Sequence, residues 1–401
     1  MKATIVAMFC CMAFWRSRTM RRSILVIALV LLTAIPIHAD IMYNVVDLGG
    51  LGGTRAGPDS QAGSINNSGQ IVGFAINPSG KHRATLFDST GNGNNTNLGV
   101  LNGDYSDASA INDNGQIVGT AHNNVPIGRA TIFDPTGAGN NIDLGTLGGN
   151  SSSAFSNNDS SQIVGHAVRN VGDYHAAIFD PSGGGNNTDL GTLGGSNSVA
   201  YANNNGGQIV GFAENTFGNR IATLFDPTGG GSNLNLGTLV GGSSSTANSI
   251  NDNGLIVGDS KYFANQNHAV LFDPTGGGNN IDLGALAGFS NSVAYSINNF
   301  NQIVGFSSGG PSRATLFDPT GGWDNIDLNT LIDPTLGWDL YFAHGINDSG
   351  WIVGWGENPS GDYHAYLLKP VPVPGAVVLG SLGLGMAGWL CRKKDEKEEL
   401  K

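Results

Sequence analysis

Cysteine is confined to the ends of this 401-residue chain, at Cys10, Cys11 and Cys391, so residues 41–369 hold neither a disulfide nor a thiol. Thiolate nucleophiles and cysteine-bound metals are excluded from that stretch. Glutamate is almost missing there too, with only Glu214 and Glu357, whereas aspartate occurs 24 times, a choice that suits turns and oxygen donation. Basic residues are as scarce: nine stand against 26 acids, a net charge of −17 between 41 and 369. That balance argues against nucleic acid as a partner, because phosphate recognition needs clustered Lys and Arg. Enzyme signatures are also lacking, with no H-E-x-x-H, no G-x-S-x-G and no Walker loop.

What the chain has instead is 62 Gly and 44 Asn, poor helix formers that favour turns, which excludes a long helical bundle. Yet 40% of residues are hydrophobic, 17 of them Phe, and they recur at fixed intervals, which excludes disorder. A large all-β protein with many tight turns remains.

The repeat decides its architecture. I-V-G ends at Gly73, Gly119, Gly165, Gly211, Gly258, Gly305 and Gly354, giving seven units of about 46 residues. Each unit also carries an Ala (Ala62, Ala108, Ala154, Ala200, Ala247, Ala294, Ala343) and an Asn (Asn66, Asn112, Asn158, Asn204, Asn251, Asn298, Asn347). One unit reads as four short strands: Ser106 to Asn112, Gln116 to Ala121 after an N-G hairpin signal, Arg129 to Asp134, and Ile142 to Leu144 after the loop Asp134 to Asn141. Four strands in about 46 residues is the size of a propeller blade, and closing a ring removes the raw strand edges of an open stack. The last unit stops after its third strand, His364 to Leu368, while the missing fourth stands at the front as Asn44 to Gly53. The expectation is a seven-bladed β-propeller whose N-terminal strand completes the last blade. A β-solenoid is the competing architecture.

These residues resemble the bacterial extracellular HAF repeat family, whose pattern appears as His268-Ala269 to Phe272, Leu283-Gly284 and Ile250-Asn251 to Gly258. The first position of the H-A-F segment varies, as Arg83, Arg129, His175, Ile221, His268, Arg313 and His364. The resemblance implies a secreted, surface-associated protein and brings no chemistry with it.

Both ends read as addresses. Met20-Arg21-Arg22, an apolar run from Ile24 to Leu32, Pro36 and Ala39 follow the order of a secretory signal peptide, assigned to 1–39 with Met20 as an alternative start. An uncleaved anchor is the other reading. At the far end V-P-V-P (Val371, Pro372, Val373, Pro374) precedes an apolar segment, 376–391, closed by Arg392, Lys393 and Lys394. Basic residues after an apolar stretch stay on the cytoplasmic side. As a helix the segment would reach only about 24 Å, short of a bilayer core of about 30 Å. Residues 370–401 resemble the PEP-CTERM sorting signal of Gram-negative bacteria that make exopolysaccharide. That resemblance implies cleavage near Pro372 to Pro374 by an exosortase-type membrane protease; a plain membrane anchor is the alternative.

Within the body, 40–369, a residue repeated once per blade serves the blade, so the recurrent Asn and the Asp of F-D-P-T-G read as turn and cap residues. Calcium is the alternative reading, since Asp273 to Asn280 gathers hard oxygen donors. No catalytic, metal or cofactor residues are assigned. One region breaks the symmetry: Trp323, Trp338, Trp351 and Trp355 are the only tryptophans of the body, joined by Tyr341, Phe342 and His344. Aromatic faces stack on sugars or partners, or pack the seam of the ring. The expected function is a non-catalytic structural or binding protein associated with the cell surface or exopolysaccharide. A polysaccharide-cleaving enzyme on the same scaffold is the runner-up.

Overall fold

The computed structural model describes residues 42–371 apart from 55, 56, 126, 171 and 263–265. Residues 1–39, read above as a signal peptide, and Pro372, Pro374, Arg392, Lys393 and Lys394, read as part of a sorting signal, lie outside the described residues, and Val371 is the last of those described.

Seven four-stranded antiparallel sheets form a seven-bladed β-propeller. Strands a to d of blade 2 are Ser106–Ile111, Ile117–His122, Gly128–Phe133 and Ile142–Asp143, each within a residue or so of the sequence expectation. Blade 7 contains Asp339–Ile346, Ile352–Glu357 and Tyr363–Pro370 as strands a, b and c. Its fourth strand is the N-terminal Tyr43–Gly49, paired antiparallel from Tyr43↔Pro370 to Gly49↔Ala365. The ring is therefore closed by the two ends of the body. Each blade buries one face against its neighbour, as where Val72 and Ala84 of blade 1 meet Ala108, Ile111, Ile117 and Phe133 of blade 2.

The I-V-G glycine follows from a bulge. Strand a shifts register one step past its Ala, for example between Ala200 and Ala202, opposite Gly211 on strand b. The shift drives a carbonyl against the facing strand, so a Cβ on Gly211 would lie 1.9 Å from the Val199 oxygen. All seven equivalents show the same close approach, at 1.8 to 2.1 Å. Only a residue without a side chain fits.

The repeated Asn does more than cap its turn. Asn112 Oδ1 accepts the Gln116 N–H at 2.9 Å, closing the a–b turn, while its amide donates 2.8 Å across to the Asn158 carbonyl of the next blade. The same bond passes from Asn158 to Asn204, Asn251, Asn298, Asn347, Asn66 and back to Asn112, a closed circuit at one mouth of the central channel. The next residue in each turn makes a second circuit, in which Asn67, Asn205 and Asn299 interleave with Asp113, Asp159, Asp252 and Asp348. These amides donate to flanking carboxylates, as Asn205 does to Asp159 at 2.9 Å and Asp252 at 3.2 Å, which offsets like-charge crowding.

The variable first position of the H-A-F segment pairs with strand d. His175 meets Asp189 at 2.7 Å, His268 meets Asp282 at 2.9 Å and Arg129 meets Asp143 at 3.0 Å. Where strand d offers Asn97 or Asn235 in place of Asp, the position holds Arg83 or Ile221. In blade 7 the pair spans the closure, His364 Nδ1 lying 2.9 Å from Asp47. The bond to Asp47 raises the His364 imidazole above its usual value. Burial alone would raise Asp47, but His364, the Gly49 N–H and Asn358 together bring it below the usual value. His364 therefore stabilises fully below its unfolded pKa of about 6.5 and loses that contribution as pH rises through its higher folded value. Asp47 contributes above about 3.9 and loses it as pH falls through its lower folded value. The closure is expected to be firmest between about pH 4 and 6.5, and Asp47→Asn should flatten the melting temperature against pH on both flanks. An unaltered profile in that variant would remove the pair from the closure.

Candidate functional site

The ring has two unlike faces. The a–b turns and their Asn circuits occupy one, and both ends of the body leave there: the Val371 N–H donates 2.7 Å to the Met42 carbonyl, beside Gly350 of the blade 7 turn. The b–c loops and the crossings between blades occupy the other. Strand c of blade 7 runs between these faces, from Tyr363 to Pro370, about 24 Å at 3.4 Å per residue.

On the b–c face blade 7 forms an open cleft of about 460 Å³. Tyr341 and Phe342 of strand a, Trp355 of strand b and Tyr363 of strand c make its aromatic wall, with Pro58 and Pro311 beside them. Phe342 stacks on Trp355 at 5.0 Å between centroids and 17° between planes, while Tyr341 and Tyr363 meet Trp355 edge-on at 5.6 and 6.2 Å. The Trp355 position is aromatic also as Phe74, Phe212 and Phe306 in blades 1, 4 and 6, but blade 7 alone is aromatic at the Phe342 position as well. Where blade 7 has Trp355, blades 2 and 5 have Thr120 and Asp259; where it has Phe342, they have Asp107 and Thr246. Tyr363 is 36% exposed, so the wall reaches solvent.

The polar fittings lie at the rim. Tyr341 donates its hydroxyl to Glu357 Oε2 at 2.8 Å. Burial, that hydrogen bond and the carboxylate's charge push the phenol up to about 12, so it stays protonated with a lone pair free to accept. Arg313 forms an ion pair with Asp339 at the start of strand a and lies 3.9 Å from Asp327.

Of the aromatic residues singled out from sequence, Tyr341 and Trp355 meet in this cleft, with Phe342. The other four do not. Trp338 packs into the blade 7 core against Tyr366. Trp351 lies on the opposite face, under Lys369 and against Gly69, in the blade 7–blade 1 core. His344 is stacked between Tyr295 and Phe342, 2.8 Å from Gln61, and burial lowers it to about 4, leaving it neutral. Trp323 sits on the c–d loop of blade 6, its indole N–H on the Asp282 carbonyl of blade 5 at 3.1 Å. Sequence reasoning missed Tyr363, whose only signal is its place one residue before the His364 of the H-A-F segment.

The F-D-P-T-G loops spend their oxygens internally. Asp134 Oδ1 accepts from the Thr136 N–H at 2.9 Å and hydroxyl at 2.6 Å, and Oδ2 accepts the Asn140 amide at 2.9 Å. Asn141 then donates 2.9 Å to the Leu98 carbonyl of the preceding blade. In the equivalent loop the Thr275 hydroxyl and N–H hold Asp273 at about 2. Among the described residues no group of three His, Cys, Asp or Glu is placed to hold a metal ion, and no helix is long and apolar enough to cross a membrane.

No family model and no curated protein matches the chain. Among solved structures it is similar to a puromycin-hydrolysing peptidase of Mycobacterium tuberculosis, at TM-score 0.53 and 12% identity, over 82% of this chain and 52% of that one. The chain thus spans about half that peptidase's length. A lectin of Aleuria aurantia, in complex with Fucα1-6GlcNAc, is matched at TM-score 0.31 and 14% identity over 79% of this chain and 97% of that one. At 12% identity the likeness to the peptidase shows the propeller fold, and nothing of its chemistry passes to this chain.

Proposed function

We propose that this propeller is a secreted, non-catalytic binding protein of the cell surface or exopolysaccharide matrix, engaging a glycan through the aromatic cleft of blade 7. The observation that carries the reading is the convergence of Tyr341, Phe342, Trp355 and Tyr363 on one open wall of about 460 Å³, within the range of small-molecule sites. Flat aromatic faces with hydroxyls at their edges suit sugar rings, which are apolar on their faces and polar at their rims. The reading assigns no cofactor. Cleavage of a glycosidic bond would need two carboxyl groups flanking the substrate, whereas the two at the rim, Glu357 and Asp339, are engaged by Tyr341 and Arg313.

Attachment fits the same picture. Residues 370–401 act as the sorting signal, cut near Pro374 by an exosortase-type protease. Polysaccharides that quench tryptophan fluorescence in the parent protein should lose that effect in a Tyr341→Ala, Trp355→Ala pair that still melts cooperatively. They should also show no new reducing ends. Quenching that survives the pair, or reducing ends that accumulate, would overturn the reading. Mass spectrometry of the surface fraction should find a C-terminus near Pro374; an intact Lys401 there would leave a plain membrane anchor instead.

A further inference from the structure

The charges around the cleft carry the ligand's chemistry one step further. Glu357 holds the Tyr341 hydroxyl, Asp362 precedes Tyr363, and Asp59 follows Pro58 with its N–H on the Tyr363 carbonyl at 2.9 Å. Asp339 adds a fourth carboxylate, paired with Arg313; His364, beside Tyr363, is a second described cation and is held by Asp47, while Arg55 lies outside the described residues. Arg313 also lies 3.9 Å from Asp327, so its charge is shared between two acids. The surround is anionic, and the body as a whole carries −17 between 41 and 369. A polyuronate would meet repulsion from the carboxylates at the rim of this cleft. An amine-bearing sugar would meet the opposite: an ammonium is attracted both to carboxylates and to the faces of Trp and Tyr. The hydrogen-bonding pattern agrees, since Tyr341 spends its proton on Glu357 and turns only a lone pair outward, which accepts from a donor-rich ligand.

We infer that the blade 7 cleft takes an amine-bearing hexosamine chain, its ring stacked on Trp355 and its ammonium turned toward Glu357. The inference rests on the glycan reading above and adds the ligand's charge. Its test uses the propeller body with three oligomers of equal length: β-1,4-glucosamine, its fully N-acetylated form, and oligogalacturonate. Binding is read by calorimetry at pH 5.5 and low salt. The glucosamine oligomer is expected to bind at least tenfold tighter than the acetylated one, and the uronate not measurably. Glu357→Gln, which keeps the acceptor for Tyr341, should shrink the tenfold preference to threefold or less with an unchanged melting temperature. Equal affinity for the amine and acetylated forms, unaltered by Glu357→Gln, overturns the amine inference while leaving the glycan reading standing, provided Trp355→Ala abolishes both. Binding of none of the three, or binding indifferent to Trp355→Ala, overturns the glycan reading for these sugars and the inference with it. Preferential binding of the uronate also overturns the inference, because no anionic surround would select it.

Discussion

Deletion of residues 42–53 is expected to lower the melting temperature by 10 °C or more and to make the protein self-associate. The segment supplies the outer strand of blade 7, with Tyr43 and Leu48 buried at 3% and 1% exposure. Each such side chain is worth about 1.5–3 kcal/mol on burial, and the lost ladder adds about 1 kcal/mol per hydrogen bond. Those losses are a large part of a total stability of about 5–15 kcal/mol. The deletion also bares strand c, Tyr363–Pro370, as an edge able to pair with another chain. A synthetic peptide of residues 42–53 should restore the monomer and part of the stability. Scanning calorimetry and gel filtration read both effects, and an unchanged melting temperature would count against closure by the N-terminal strand.

Gly211→Ala is the second large effect. Its Cβ would stand 1.9 Å from the Val199 carbonyl, an obstacle made of backbone on the inner strand of a closed ring. Overpacking a core costs about 1–3 kcal/mol where side chains can yield, and here the main chain itself must move, so about 3 kcal/mol or more is expected. At roughly 2–4 °C per kcal/mol for a large domain, that lowers the melting temperature by about 6–12 °C. Gly310 is the control: a Cβ there meets nothing within 4 Å, and Gly310→Ala should stay within about 0.5 kcal/mol of the parent. Equal melting of the two variants would show that the bulge is not fixed in place.

The pH profile of Asp47→Asn and the fluorescence of the Tyr341, Trp355 pair then separate two roles of blade 7. One closes the ring and the other is the proposed ligand face. His364 and Tyr363 are adjacent in strand c yet point to opposite faces of the sheet, so the first can be altered without touching the second.

Blade number, strand order and the closure were legible in the residues, because they are one-dimensional properties: a repeat of about 46 residues, alternation within it, and a fourth strand missing at one end and present at the other. The I-V-G glycines were visible as a pattern, but their reason was not. It lies in a carbonyl of the facing strand, brought close by a bulge that no local signal marks. The recurrent Asn was read as a turn residue, and its Oδ1 serves the turn; that its amide reaches a carbonyl 46 to 49 residues onward, and from Asn347 returns to Asn66, appears only when the ring is shut. The aromatic cluster divided for the same reason. Trp338, Trp351 and Trp355 lie within 18 residues, yet successive strands run in opposite directions and successive side chains face opposite ways, which places Trp351 beneath the ring, Trp338 inside it and Trp355 on the open face. The sequence by itself determined the sevenfold ring and where it closes, through repetition and hydrophobic periodicity. Only the tertiary structure decided which aromatics share a surface, because that depends on strand direction and on the pairing of residues as distant as Pro58 and Trp355.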